Sequence, residues 1–408
     1  MKILCFGSCN IDYVYSIDHI VKPGETISSD DLAVFPGGKG LNQAVALAKA
    51  GAEVFFAGCV GADGAFLKQV LLESGVDIRY LRTVDTKTGH AIIQVDKTAE
   101  NAIVIFSGAN GCITDEYIEH VMCDFEAGDI LLIQNEISSL DYLVEAAGKR
   151  GMQIFFNPSP LNDKLDLIDL RWVRCLIVNE TEAHELIGTH DPENIQLFVK
   201  SKYPGMEILL TLGKRGSVYI TSERIIKQNA YKIVAVDTTA AGDAYTGYYL
   251  ESISEGYNIE NAMDRASAAS AITVSRKGAS SSIPISSEVN SVISNSIHNT
   301  DVSFDRKELA ETYFLEHYVD GEINQLASCL GYSVSYTSVW LKANFGCRFT
   351  DLLYKKKCQI CADLLITSDI SISSLIHRLG CSNESYFRKK FKKQYGCSML
   401  EYRKRMRV

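Results

Sequence analysis

Apolar positions along the chain fall into two kinds of run. Ile3–Phe6, Val54–Gly58, Ile130–Gln134, Gln153–Phe156, Cys175–Val178 and Ile208–Leu212 are short, nearly continuous apolar stretches of strand length. Between them, Ala44–Ala50, Phe66–Ser74 and Leu140–Lys149 repeat their apolar residues at helical spacing. Alternation of this kind predicts an α/β fold, a doubly wound, mostly parallel sheet with helices on both faces. Two places depart from it. Ser28–Val34 and the pair Gly89–Val95 and Ala102–Phe106 alternate residue by residue, which predicts a small antiparallel β lid over the end of the first strand. Tyr231–Val236 reads as a further apolar strand, running through small residues into a helix.

Beyond a last short helix (Ser287–Ile293) the segment Ser294–Asp301 is polar and turn-rich, as a linker is. Residues 306–408 then change character, with helical spacing throughout and no proline. Ile323–Leu330, Gly331 and Ser335–Phe345 form one helix–glycine–helix unit. Ile372–Leu379, Gly380 and Glu384–Tyr395 form a second, and the helix Phe349–Ile366 separates them. Units of this shape set their second helix in a DNA major groove. The organisation expected is a domain over 1–293, a linker over 294–305, and an all-α domain with two helix-turn-helix units over 306–408.

Composition alters this picture at three points. The 408 residues are 46% hydrophobic and 22% charged, ordinary for a globular chain, and no run approaches a membrane span. The apolar start Ile3–Phe6 is too short for a signal peptide. Charge is divided: residues 1–299 carry 24 Lys and Arg against 38 Asp and Glu, whereas 300–408 carry 17 against 12. Residues 370–408 alone have 10 against 2, the balance of a nucleic-acid-binding appendage. The twelve cysteines are scattered, and Cys358 and Cys361 lie inside a helical pattern with no histidines nearby. They read as buried helix positions rather than a metal site, and the whole as a cytoplasmic protein of a reducing compartment, with no membrane partner.

Candidate chemistry gathers at strand ends, where open α/β sheets bind ligands. Asn10 and Asp12 follow the first strand, Glu136 the one ending at Gln134, Asn179–Glu182 the one ending at Val178, and Thr211–Gly216 follows Ile208-Leu209-Leu210. Gly37-Gly38-Lys39-Gly40 opens a helix carrying Asn42, and its glycines let backbone approach a ligand. In Asp237-Thr238-Thr239-Ala240-Ala241-Gly242-Asp243, small residues bring amides together at a helix N-terminus, an anion site, with Asp243 in its first turn.

These motifs, with Ser107-Gly108-Ala109-Asn110 and Ser275-Arg276-Lys277-Gly278-Ala279, resemble the ribokinase family of carbohydrate and nucleoside kinases over residues 1–293. Gly-Gly-Lys-Gly followed by Asn42-Gln43, and Ala-Ala-Gly-Asp, are most similar to the ribose kinases within it. The resemblance implies ATP-dependent phosphorylation of a sugar hydroxyl, ribose giving ribose 5-phosphate being favoured. Asp243 would be the general base, and Ala240, Ala241 and Gly242 the anion hole. Asn10, Asp12, Gly38, Lys39, Asn42, Glu136 and Asp243 would bind the sugar. Asn179, Thr211, Leu212, Gly213, Lys214, Arg215, Gly216, Gly242, Asp243 and Ser267 would bind ATP. Glu182 would act on Mg²⁺ through water. Asp237, Thr239, Thr273, Arg276, Gly278 and Ser282 would hold K⁺, largely by backbone oxygens, and a homodimer is expected. Val178 and Leu41 depart from the family pattern without removing a polar group.

Gly380-Cys381-Ser382-Asn383-Glu384-Ser385-Tyr386-Phe387, continuing through Phe391, Gly396 and Tyr402-Arg403, resembles an AraC-type DNA-binding domain. That implies double-stranded DNA as a partner, met by Ser385, Arg388, Lys389, Lys392 and Lys393. In the first unit Val339, beside the bulky Trp340, stands where that family tends to carry arginine, and Met399 replaces a customary proline. Three organisations stay open: an active sugar kinase with a DNA-binding domain, a sugar- or nucleotide-sensing regulator with a weak kinase domain, and a kinase whose helical domain serves as an interaction module. Another furanose or a nucleoside is the alternative acceptor.

Overall fold

The computed structural model describes residues 1–298 except 99 and 234, together with 310, 313–314, 317–319, 321–330, 333–368, 370–381 and 383–406. The chain divides into two compact units, Met1–Ile297 and His298–Val408.

The first unit is built on a nine-stranded sheet. Its strands are β1 (Ile3–Phe6), β4 (Val54–Val60), β5 (Asp77–Thr83), β8 (Ile130–Gln134), β9 (Gln153–Asn157), β10 (Val173–Asn179), β11 (Glu207–Thr211), β12 (Ser217–Ile220) and β13 (Ile225–Gln228), in the order β13-β12-β11-β10-β9-β8-β1-β4-β5. Every neighbouring pair is parallel except β11–β12 and β12–β13. The central strands are apolar along their whole length because both faces are covered. Ile3, Phe56, Leu132 and Ile177 point to one face, where α1 (Lys39–Ala50), α2 (Ala65–Glu73), α7 (Ala241–Ser254) and α8 (Ile259–Val274) pack. Leu4, Phe55, Ile133 and Val178 point to the other, against α3 (Asp115–Met122), α4 (Leu140–Lys149), α5 (Glu180–Ile187) and α6 (Pro192–Lys202).

A second sheet forms the lid: β2 (Asn10–Ser16), β3 (Asp31–Gly37), β6 (Gly89–Val95) and β7 (Asn101–Phe106), in the order β3-β2-β6-β7. It is not wholly antiparallel, because β2 and β6 run parallel between two antiparallel pairs. The sequence places its first strand at Ser28–Val34, three residues early. It reads no strand at Asn10–Ser16, since Asn10 and Asp12 interrupt the apolar alternation and face the cleft. Of the expected strand Tyr231–Val236, position 234 lies outside the described residues and none of the described ones is in a strand. The sheet ends at β13, and Val236 N and Asp237 N instead donate to Val274 O at 2.7 and 3.1 Å. Helix α9 (Ser286–His298) runs five residues past Ile293 into the segment expected as linker, and the rest of that segment lies outside the described residues.

In the second unit α10 (Ile323–Leu330), α11 (Val334–Phe345), α12 (Phe349–Thr367), α13 (Ile372–Arg378), α14 (Glu384–Tyr395) and α15 (Met399–Met406) are ordered. Gly331 and Ser382 of the two turn patterns lie outside the described residues. Leu326, Leu330, Leu341 and Phe349 make one apolar cluster; Leu365, Leu375, Ile376, Phe387 and Phe391 make another. Each helix pair thus has its own core around one part of α12. Cys358 and Cys361 are fully buried in the second cluster, and burial pushes both thiols up to about 12.

Candidate functional site

Helix α1 begins where the last residue of β3, Gly37, meets Gly38. A Cβ on Gly37 would lie 2.1 Å from Asp12 Oδ2, and Gly38 has φ +93°, a conformation glycine adopts without strain. The two glycines therefore bring α1, β2 and β3 together closely enough for Asn10, Asp12, Gly38, Lys39 and Asn42 to share one cavity of about 830 Å³ with Glu136, Thr239, Ala240, Asp243 and Gly278. Seven residues expected from the sequence to bind sugar line this single space.

Asp243 sits in the first turn of α7, 6% exposed. Its Oδ2 accepts from Asn42 Nδ2 at 3.1 Å and its Oδ1 from Gln43 Nε2 at 2.9 Å. Ala240, which caps α7, takes φ +58° and ψ +8°, a left-handed conformation costly for a residue with a Cβ. Helix geometry leaves the amides of Gly242 and Asp243 without intrahelical acceptors, so the turn presents donors beside the carboxylate.

Glu136 accepts from the Ser8 hydroxyl and from Lys39 N, the latter at 3.0 Å. Burial pushes its carboxyl up, against the opposing pull of Ser8 and Lys39. Burial, reinforced by the charge of Glu136, pushes Asp12 up to about 7. Burial alone would lower Lys39, but the carboxylates of Asp243, Glu136 and Glu182 together hold it above its ordinary value. Asn10 is oriented by Asn110, whose Nδ2 donates to Asn10 Oδ1 at 2.8 Å. Ser8, Gln43, Gln134, Asn157 and Asn110 are absent from the sequence-derived site. The Asn42-Gln43 and Ser107–Asn110 motifs held a signal for two of them.

Of the residues expected to hold ATP, Asp243 lines this cavity; Asn179, Thr211–Gly216, Gly242 and Ser267 do not. Asn179 and Thr211 are register partners at the ends of β10 and β11. Asn179 Oδ1 accepts from Glu182 N and Glu182 Oε2 from Asn179 N, both at 2.9 Å, a reciprocal helix cap. Lys214 and Gly213 are exposed in the Leu212–Gly216 turn, Arg215 pairs with Glu180, and Ser267 is buried on α8.

Of the residues expected around a monovalent cation, Asp237 accepts from Thr239 N at 2.9 Å and Gly278 N at 3.0 Å. Its burial works against ionisation, but these donors hold its carboxyl below its usual range. The hydroxyls of Thr273 and Ser282 donate to Ala269 O and Ala279 O, and the Arg276 side chain pairs with Glu288. The side-chain groups of these three residues are thus engaged within the protein. In the same loop, Lys49 Nζ from the last turn of α1 donates to Ser280 O at 3.0 Å and Ile283 O at 2.8 Å. Among the described residues no three His, Cys, Asp or Glu side chains gather as a metal centre.

On α14, Ser385, Arg388, Lys389, Lys392 and Lys393 are all exposed, while Phe387 and Phe391 on the opposite side are completely buried. Arg388 pairs with Glu384 at 3.2 Å and Lys390 with Asp351 at 2.7 Å. The matching face of α11 carries Tyr336 and Val339, 52% and 64% exposed, and Trp340 packs against Phe345 instead.

Residues 1–286 match the pattern of the pfkB family carbohydrate kinases, and 326–405 that of a helix-turn-helix domain. The chain belongs to the pfkB family of carbohydrate kinases. It is 38% identical to a ribokinase of Haemophilus influenzae over 299 residues, 69% of this chain and 95% of that one. It is 31% identical to a deoxyribokinase of Salmonella typhi over 306 residues, 72% of this chain and 99% of that one. Its fold superposes on the ADP complex of ribokinase from Cryptococcus neoformans with a TM-score of 0.64 at 33% identity, covering 71% of this chain and 99% of that structure. The pfkB carbohydrate kinase is thus an ATP-dependent sugar kinase, of the ribokinase kind, fused to a helix-turn-helix domain. Such kinases use ATP with a divalent metal. Among the described residues no helix is long and apolar enough to cross a membrane.

Proposed function

We propose that the kinase unit transfers the γ-phosphoryl group of ATP to a hydroxyl of ribose, with Asp243 as general base. The observation that carries this reading is the buried carboxylate of Asp243, held on the protein side by two amides in a cavity shared with Asn10, Asp12, Asn42 and Glu136. A sugar hydroxyl is a weak nucleophile, and a carboxylate within hydrogen-bond reach takes its proton as it attacks. Asn42 Oδ1 is buried with no partner among the described residues, an acceptor suited to a sugar hydroxyl. The free amides at the start of α7 receive the charge that develops on the transferred group. ATP is held by Asn179 and Thr211–Gly216 at the ends of β10 and β11, with Gly242 and Asp243 at the start of α7 and Ser267 on α8.

Mg²⁺, when bound, neutralises phosphate charge. Glu182, one of whose oxygens is used in the helix cap, would act on it through water with the other. K⁺ fits the carbonyl oxygens of the Asp237–Thr239 and Thr273–Ser282 segments, an all-oxygen donor set. The exposed apolar residues Val34, Ile92 and Val104, register neighbours on the lid face away from the cavity, support a homodimer that covers this sheet. The described cysteines, all unpaired and mostly buried, support a cytoplasmic location. The basic face of α14 supports binding of double-stranded DNA through Ser385, Arg388, Lys389, Lys392 and Lys393.

The test is a coupled assay of ADP release over ribose, 2-deoxyribose, hexoses and nucleosides, with and without K⁺. Ribose should give the highest kcat/KM, and exchange of K⁺ for a large organic cation should lower the rate. A deoxyribose or nucleoside kcat/KM tenfold above that of ribose would overturn the substrate assignment.

A further inference from the structure

Behind Asp243 lies a line of buried side-chain amides that does not reach the cavity. Gln43 Nε2 donates to Asp243 Oδ1 at 2.9 Å and approaches Asn157 Oδ1 at 3.3 Å. Gln43 Oε1 accepts from Gln134 Nε2 at 2.6 Å. Asn157 Nδ2 donates to Ile177 O at 2.9 Å. Gln43 and Gln134 are wholly buried, Asn157 is 9% exposed, and none of the three lines the sugar cavity, whereas Asn42 and Asp243 do.

The orientation of each amide follows from its neighbour. Ile177 O can only accept, so Asn157 turns its NH₂ toward β10 and its oxygen toward Gln43. Gln43 then faces two acceptors, a carboxylate and an amide oxygen, and must present its NH₂ to both. Its own oxygen is left facing β8, where Gln134 supplies the donor. Gln134 and Asn157 are register partners at the ends of adjacent parallel strands, so the sheet itself fixes their separation. The line ends with Gln134 Oε1, buried and unpaired among the described residues. An unpaired buried acceptor is unfavourable, and its presence marks Gln134 as oriented for Gln43 rather than for its own satisfaction.

We propose that Gln43 is a positioning residue for Asp243, the middle link of a buried amide chain that ties one carboxylate oxygen to the ends of β8 and β9 and so turns the other toward the acceptor hydroxyl. Asn42 holds Oδ2 from the side, and Gln43 holds Oδ1 from behind. The carboxylate plane is then set by three separate elements, α1, β8 and β9, before any sugar arrives. The chain touches no substrate, so its effect falls on turnover and not on binding.

This inference rests on Asp243 being the base, and the experiment separates the two. Steady-state kinetics with the preferred sugar are measured for Gln43→Met, Gln134→Met, the double variant and Asp243→Asn, with Tm recorded for each. Gln43→Met should lower kcat by about tenfold to a hundredfold through misalignment of the carboxylate, with the KM for sugar and ATP changed by less than about threefold. Gln134→Met should lower kcat by a smaller factor, and the double variant should be no slower than Gln43→Met, because the two act through one contact. Wild-type kcat in folded Gln43→Met, losses that multiply in the double variant, or a raised sugar KM at unchanged kcat would each overturn the proposal. If Gln43→Met does not fold, Gln134→Met decides alone: a loss of kcat at constant KM supports the chain, and an unchanged kcat overturns it. Full activity of Asp243→Asn would remove the base assignment and this proposal with it. An inactive Asp243→Asn beside a fully active Gln43→Met would remove this proposal only.

Discussion

In the kinase unit the polar groups at the heart of the sugar cavity are withdrawn from solvent and held by buried partners: Asp243 is 6% exposed, Asn42 likewise, and Asn10 4%. In the helical unit the corresponding groups stand on an open helix face, and it is the aromatic residues behind them, Phe387 and Phe391, that are buried. Buried groups are strengthened by low polarity but depend on every partner, so their loss is large and non-additive. Exposed charges are screened, act nearly independently, and lose little when one is removed.

Four measurements test that contrast, the strongest first. Asp243→Asn should reduce kcat by about two orders of magnitude or more with modest change in sugar affinity, as removal of a general base does. Near-normal kcat would place the chemistry elsewhere. Asp12→Ala should raise the sugar KM by about fivefold to 150-fold, equivalent to about 1–3 kcal/mol for a lost buried partner. An unchanged KM would take Asp12 out of the sugar site. The third measurement is a pH profile. Because burial and Glu136 raise Asp12 to about 7, its carboxylate loses its charge as pH falls through neutrality, and with it the acceptor for sugar hydroxyls. The sugar KM should therefore rise about tenfold between pH 8 and pH 6 if only the ionised form binds, and Asp12→Asn should flatten that rise. The smallest effect belongs to the helical unit. Lys389→Ala should weaken DNA binding across all sequences and reduce the slope of affinity against salt by about one unit. Val339→Ala, which removes no charge, should leave the slope unchanged in a gel-shift series. Equal changes from both would erase the distinction between α11 and α14.

The sequence made much of this visible for a physical reason. Groups that meet near a helix start, as Gly38, Lys39 and Asn42 do, lie close in the chain, and so do the Ala240–Asp243 amides and carboxylate. Their spacing alone implies that they converge. The parallel sheet was equally legible, since strands buried on both faces read as unbroken apolar runs. What lay hidden depends on pairing between distant segments. Gln134 and Asn157 reach Gln43 only through the register of β8 and β9, and an isolated buried amide leaves no periodic signal. Strand β2 is masked because its cleft-facing positions are polar, and the parallel β2–β6 contact follows from no local pattern. The apolar residues of Tyr231–Val236 suggested a strand, but Val236 N and Asp237 N bond to the end of α8 at Val274 O.

Helix α1 has a part in the cleft that its far end makes plain. Twelve residues long, it spans about 18 Å, with Asn42 and Gln43 near one tip and the Lys49 ammonium, at the other, bolted to the carbonyls of Ser280 and Ile283. It behaves as a strut pinned at its base. Any displacement of the 278–283 loop has two outlets: it breaks these two bonds, or it levers the strut about its packing on α7 and swings Asn42 and Gln43 relative to Asp243. The alignment of one carboxylate is in this sense borne by a joint at the opposite end of the helix, where no substrate reaches.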